Sequence, residues 1–187
     1  AFDALRNRYE QQLSSSAFHA VREMLEHRRQ AVADAEEGLG QQLTHLAEDL
    51  RAARSRVLLW PIEGEDFAAV SDGLVTIYAR GREAMAEAYR KPSPERFHEW
   101  RKAVKYHWYH IQLLRGIWPT VMNGFEQAVH DLSDLVGDYH DLDVLLQTVL
   151  AEHGALSGRK ELELLIGLIE CRQAGLRDRA HVLGRRV

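Results

Sequence analysis

At 187 residues the chain is long enough for one substantial domain, and its 45% apolar content excludes a disordered polypeptide. The single cysteine, Cys171, excludes an internal disulfide framework and suits a reducing, cytoplasmic setting. No run approaches the roughly 20 apolar residues that cross a bilayer, and the formal net charge of −4 argues against a uniformly basic surface.

Read along the chain, the pattern is helical throughout, with no strand. A first helical stretch is expected from about Asp3 to Glu37, with a break near Ser14-Ser15-Ser16, where Ser16 would cap the second half. Gly38 and Gly40 are expected to stop it. The next helix runs from Gln41 to Leu59 and closes at Trp60-Pro61. Another starts near Gly64 to Asp66 and reaches Arg90. Pro92-Ser93-Pro94 is the clearest break, and Pro94 suits the first turn of the helix that follows, where its missing N–H is not needed. That helix should reach about Ile117. Thr120 to Val136 follows, with Gly137 as its stop and Asp138 as the N-cap of a further helix to about His153. Gly154 to Gly158 reads as a loop, and the last helix spans Arg159 to about Leu183. Short connections imply antiparallel hairpins and an all-α fold of six or seven helices. The natural division is residues 1–91, hairpins of an N-terminal bundle portion, and residues 92–187, a C-terminal bundle. The N-terminus has no signal-peptide pattern; its lack of Met suggests a piece of something longer.

The charge is unevenly placed. Between Arg90 and Arg115 there are seven Lys/Arg and only two acids, Glu95 and Glu99, whereas Thr120 to His153 holds seven acids and no Lys or Arg. The basic segment, residues 94–117, divides on a helical wheel into two faces. Trp100, Ala103, Val104, His107, Ile111 and Leu114 form a core stripe. His98, Arg101, Lys102, Lys105, Trp108 and Tyr109 form the opposite row. It gathers three permanent cations and one titratable group within roughly 10 Å, a match for a multivalent anion. The alternative is a solvated face paired with the acids of the next helix.

The residues His98-Glu-Trp-Arg101-Lys102-Ala-Val-Lys105-Tyr-His-Trp108-Tyr109 resemble the signature of CHAD domains, the conserved-histidine α-helical domains. Leu132-Ser-Asp-Leu135-Val-Gly137-Asp138-Tyr-His140-Asp141-Leu142 is similar to that family's Leu-Gly-Asp-x-His-Asp-Leu run, and Tyr78-Ala-Arg80-Gly81-Arg82 to its Tyr-x-x-Gly-Arg stretch. The resemblance implies paired helical bundles with a basic groove and binding of inorganic polyphosphate. It implies binding roles for His98, Arg101, Lys102 and Lys105, and for Arg80 and Arg82. It also implies a triphosphatase domain as a fused or separate partner, which this chain does not contain. The family's opening basic helix has no good copy here; Phe18-His19-Ala-Val-Arg22 is a faint echo.

Two further residues bear on the site. His140, read as lying at a helix N-terminus where backbone N–H groups attract anions, is a candidate anion ligand or a structural histidine. Asp141 is read as a first-turn acid that complements the helix dipole and pairs with His98 or Arg101; Tyr109 would support the row from its end. His107, on the apolar face, is expected to be a hydrogen-bonded core histidine. His130-Asp131 and His140-Asp141 admit a rival reading, a metal-dependent phosphohydrolase, and a helical adaptor that docks an acidic protein is a third. There is no Gly-rich phosphate loop, no serine-nucleophile motif and no sequence-specific nucleic-acid motif. The expectation is a polyanion-binding module without catalysis, cofactor or metal, whose affinity falls with salt.

Overall fold

A computed structural model describes residues 1–9, 11, 18–35, 38–61, 67–152 and 159–187. Among the described residues the fold is all-α: α1 (Phe2–Arg8), α2 (His19–Ala35), α3 (Leu39–Val57), α4 (Ala68–Arg90), α5 (Pro94–Leu114), α6 (Pro119–Ala151) and α7 (Arg159–Gly184). The expected Ser16 cap, the start near Gly64 and the Gly154–Gly158 loop fall outside the described residues.

The chain divides into two compact units, one of Ala1–Phe18 with Val70–Val187 and one of His19–Ala69. In the first, α4 to α7 form an antiparallel ring of four helices. Tyr78 meets His107 and Tyr89 meets Phe97, so α4 runs antiparallel to α5. Tyr89 donates to the carbonyl of Arg177 (2.6 Å) and Arg82 to that of Gly184 (2.7 Å), so α7 runs antiparallel to α4 and closes the ring. The core is apolar and continuous: Met85, Phe97, Trp100, Val104, Val129, Val136, Leu165, Ile169 and Leu176 are all buried. Burial pushes the Tyr89 phenol above its ordinary range. Gly184 lets α7 approach this core closely. A Cβ there would lie 2.9 Å from Trp100 Cζ2 and 3.1 Å from Met85 Sδ.

Local sequence explains the start of α5. Ser93 is extended (φ −152°, ψ 156°), its Oγ accepts from the Arg96 amide at 3.3 Å, and Pro94 occupies the first turn. The first unit also holds Phe18, a non-glycine residue at φ 65°. Its buried side chain meets Phe2 edge-on, and its amide donates to Glu161.

Three boundaries differ from expectation. Gly137 does not end a helix and Asp138 does not cap one: α6 runs unbroken for 33 residues, about 50 Å. A mid-helix glycine costs about 1 kcal/mol relative to alanine. Burial of Leu132, Leu135, Val136 and Leu142 on either side outweighs that. Gly38 is left-handed (φ 98°) and leads into α3, while Gly40 lies inside α3. The α5 helix closes at Leu114 rather than near Ile117.

The second unit contains α2 and α3. On α2, His19 pairs with Glu23 (3.2 Å) and Arg22 with Glu26 (3.1 Å), both one turn apart. No residue of α3 is buried.

Candidate functional site at the α5–α6 seam

Two ring contacts set how α5 and α6 align. His98 lies against His140 with centroids 4.8 Å apart, and Trp108 against His130 at 4.6 Å. These pairs fix an antiparallel register. It places Gly137 across from Arg101 and Ser133 across from Lys105. Small residues on α6 therefore stand opposite long cations on α5. A Cβ added to Gly137 would meet nothing within 4 Å.

The basic row accordingly sits beside α6 rather than on the far side of α5 from the core. Arg101 lies about 90° and Lys105 about 130° round from the middle of the buried stripe, His98 about 150°, and Lys102 and Tyr109, at about 190° and 170°, point straight out. His98, Arg101, Lys102 and Lys105 are all partly buried, and Tyr109 is exposed. A wheel gives angles between side chains; which flank a neighbour covers is decided by the packing.

The cations differ in their partners. Lys102 Nζ is 2.7 Å from Glu99 Oε1, one turn back, so an acid outside the row tempers it. No carboxylate among the described residues lies within 4.0 Å of Arg101, Lys105 or Arg80. The aromatic end of the row is tied down: Glu126 accepts from Trp108 Nε1 at 3.3 Å, from Gln112 at 3.4 Å and from Arg115 at 3.4 Å. Desolvation works against the charge on Glu126, but these hydrogen bonds and Arg115 hold its pKa below the usual range. Tyr109 packs beside Trp108, with centroids 5.4 Å apart.

His140 is inside α6, not at a helix N-terminus, so backbone N–H groups give it no anion-attracting position. Its place in the site comes from contact with His98. Desolvation, then Arg101 and then His98, lowers its pKa, against the pull of Asp141 and Asp143. Asp143, which sequence reasoning passed over, is raised by desolvation and by Glu95, while His140 opposes the rise. The Nδ1 of His98 is buried without a hydrogen-bond partner.

The remaining candidates lie elsewhere. Arg82 is engaged with the Gly184 carbonyl and lines a core cavity of about 30 Å³ with Tyr78, Trp100 and His107. Arg80 is exposed on α4. Asp141 is an interior residue of α6, not a first-turn acid, and with Asp138, Arg8 and Arg172 it lines a cleft beside α1. The expected hydrogen bond of His107 is absent: both ring nitrogens are buried and unpartnered. The basic row lines none of these cavities, nor the largest described one. That one lies between α6 and α7 and is lined by Asp131, Asp134, Asp138, Asp178, Arg179 and Arg186 among others.

The two His-Asp dipeptides sit ten positions apart on the single helix α6, about 15 Å, and do not converge. No group of three His, Cys, Asp or Glu among the described residues is placed to hold a metal ion, and none of the described helices is long and apolar enough to cross a membrane. Nothing in the sequence flagged Glu126, Ser133 or Asp143, because their relevance follows from register between two helices.

A family model for the CHAD domain matches residues 1–150, which takes in α1 to α5, all but the last residue of α6, and all three signature blocks. Comparisons with curated proteins and with solved structures gave no match.

Proposed function

The chain belongs to the CHAD domain family, and from that premise we propose that it binds inorganic polyphosphate along the α5–α6 seam without turning it over. The observation that carries this reading is the pairing of free cations with small residues. Among the described residues Arg101 and Lys105 have no carboxylate within 4.0 Å, and across from them α6 offers Gly137 and Ser133.

Arg101 would grip one phosphate through its planar fork, and Lys105, one turn on, would meet another as a point charge. His98 and His140 continue the line at one end. A phosphate there would favour the protonated form of His140, against the desolvation and the Arg101 charge that lower its pKa in the free protein. Lys102 contributes from the outer edge once Glu99 lets it go. Affinity should fall steeply with salt, and longer chains should bind more tightly because each added phosphate engages a site already held close.

The test is a titration with polyphosphates of graded length at two salt concentrations, comparing the intact chain with an Arg101→Ala, Lys105→Ala variant. The variant should bind more weakly and show a shallower salt dependence, by about one charge per residue removed. Equal affinity and equal salt slope in the two proteins would refute the site.

A further inference from the structure

The α3 helix carries an apolar row that no described residue of its own unit buries. Leu39, Leu43, Leu46, Leu50, Ala53 and Val57 recur at spacings of four and three residues, the heptad pattern of a coiled-coil seam. The four central and terminal large ones are 56%, 53%, 61% and 49% exposed at Leu43, Leu46, Leu50 and Val57. Beyond the helix Trp60, at 66%, takes the next position of the same repeat. A helix of 19 residues with no buried side chain has little besides its own backbone to hold it, and isolated helices of that size are marginal in water.

We propose that α3 is a self-association helix, pairing in parallel and in register with α3 of a second copy of this chain. The flanking charges select this occupant and this direction. The positions beside the seam are Gln42, Asp49 and Arg56 on one side and Gly40, Ala47 and Arg54 on the other. In a parallel pair, Asp49 of one copy faces Arg54 of the other, and symmetry makes the contact twice. In an antiparallel pair of the same seam, Asp49 would face Asp49. Among the described residues neither Asp49 nor Arg54 has an opposite charge within 4.0 Å, so both can pair with a partner. The outward positions are polar, with His45 and Glu48 3.6 Å apart.

Sedimentation velocity of the chain over a range of concentrations tests this. A concentration-dependent dimer is expected. Leu43→Asp with Leu50→Asp should raise its dissociation constant by more than about tenfold. The milder Arg54→Asp leaves the apolar row intact; it should weaken the dimer roughly threefold or more, and the Asp49→Arg, Arg54→Asp exchange should restore it. In a Cys171→Ser background, Leu46→Cys should cross-link to its own copy under mild oxidation, which an antiparallel pair would not allow. A monomer at every concentration overturns the proposal. So does a dimer indifferent to both sets of variants, or a failure of the cysteine variant to cross-link.

Discussion

The α5 and α3 helices are written in the same way and used differently. Each is about twenty residues long with an apolar stripe at helical spacing. The stripe of α5 is roofed by three other helices of its unit, so Phe97, Trp100, Val104 and Ile111 are buried and the cations beside them are held at a defined angle. The stripe of α3 is bare. Amphipathic spacing therefore tells which side of a helix wants cover; whether and by what it is covered is a property of the surroundings. In α5 the cover fixes a polar seam, and in α3 its lack leaves an apolar one.

The largest expected contrast is in stability. Trp100→Ala removes a side chain that is 2% exposed and should destabilise the first unit by about 3–5 kcal/mol in urea unfolding. Leu46→Ala in α3, measured at low protein concentration, should cost less than about 0.5 kcal/mol. Equal losses would erase the distinction between the two helices.

Within α5, the cations should also separate. Arg101→Ala with Lys105→Ala should weaken polyphosphate binding by roughly tenfold or more, whereas Lys102→Ala, whose ammonium is already paired with Glu99, should cost at most about threefold, as calorimetric titration would show. A larger loss at Lys102 would move the site to the outer face of the helix.

The two glycines that face opposite surroundings predict opposite signs. Gly184→Ala forces a methyl to within 2.9 Å of Trp100 and should destabilise by about 1–3 kcal/mol. Gly137→Ala enters open space in a helix interior and should stabilise by about 0.5–1 kcal/mol. Thermal melts of the pair give both.

His107 supplies a pH dependence. Desolvation, and behind it His110, lowers its pKa in the folded chain, so the unfolded chain takes up the proton first. Its contribution to stability is level above the ordinary histidine value of about 6.5 and is lost as pH falls from there through the lower folded value. Urea midpoints at about pH 7.5 and 5.5 should differ less in His107→Leu than in the parent.

Much of the fold was legible in the chain. The Ser93-Pro94 start, the α5 core stripe and most helix spans are local chemistry, set by caps, fixed φ angles and periodicity. The unbroken α6 was not, because Gly137 and Asp138 are locally a stop and a cap, and only long-range burial of Val136 and Leu142 overrides them. The same continuity puts His140 and Asp141 in a helix interior, where the backbone offers neither free N–H groups nor a dipole end to complement. The azimuth of the basic row relative to α6 is not legible for a related reason: a single helix cannot show which flank its neighbour will take. The pairing of Lys102 with Glu99 is local chemistry, three residues apart on one helix, with the acid outside the basic row.

The continuity of α6 has a chromatographic consequence. As one rod it turns Gly137 and Ser133 toward the cations of α5 and displays Asp131, Asp134 and Asp138 in the cleft shared with α7, where Arg179 and Arg186 also lie. The seam is thus a local patch of unpaired positive charge that the total of −4 hides. The protein should migrate toward the anode in a native gel and yet be retained by a phosphocellulose column at the same pH.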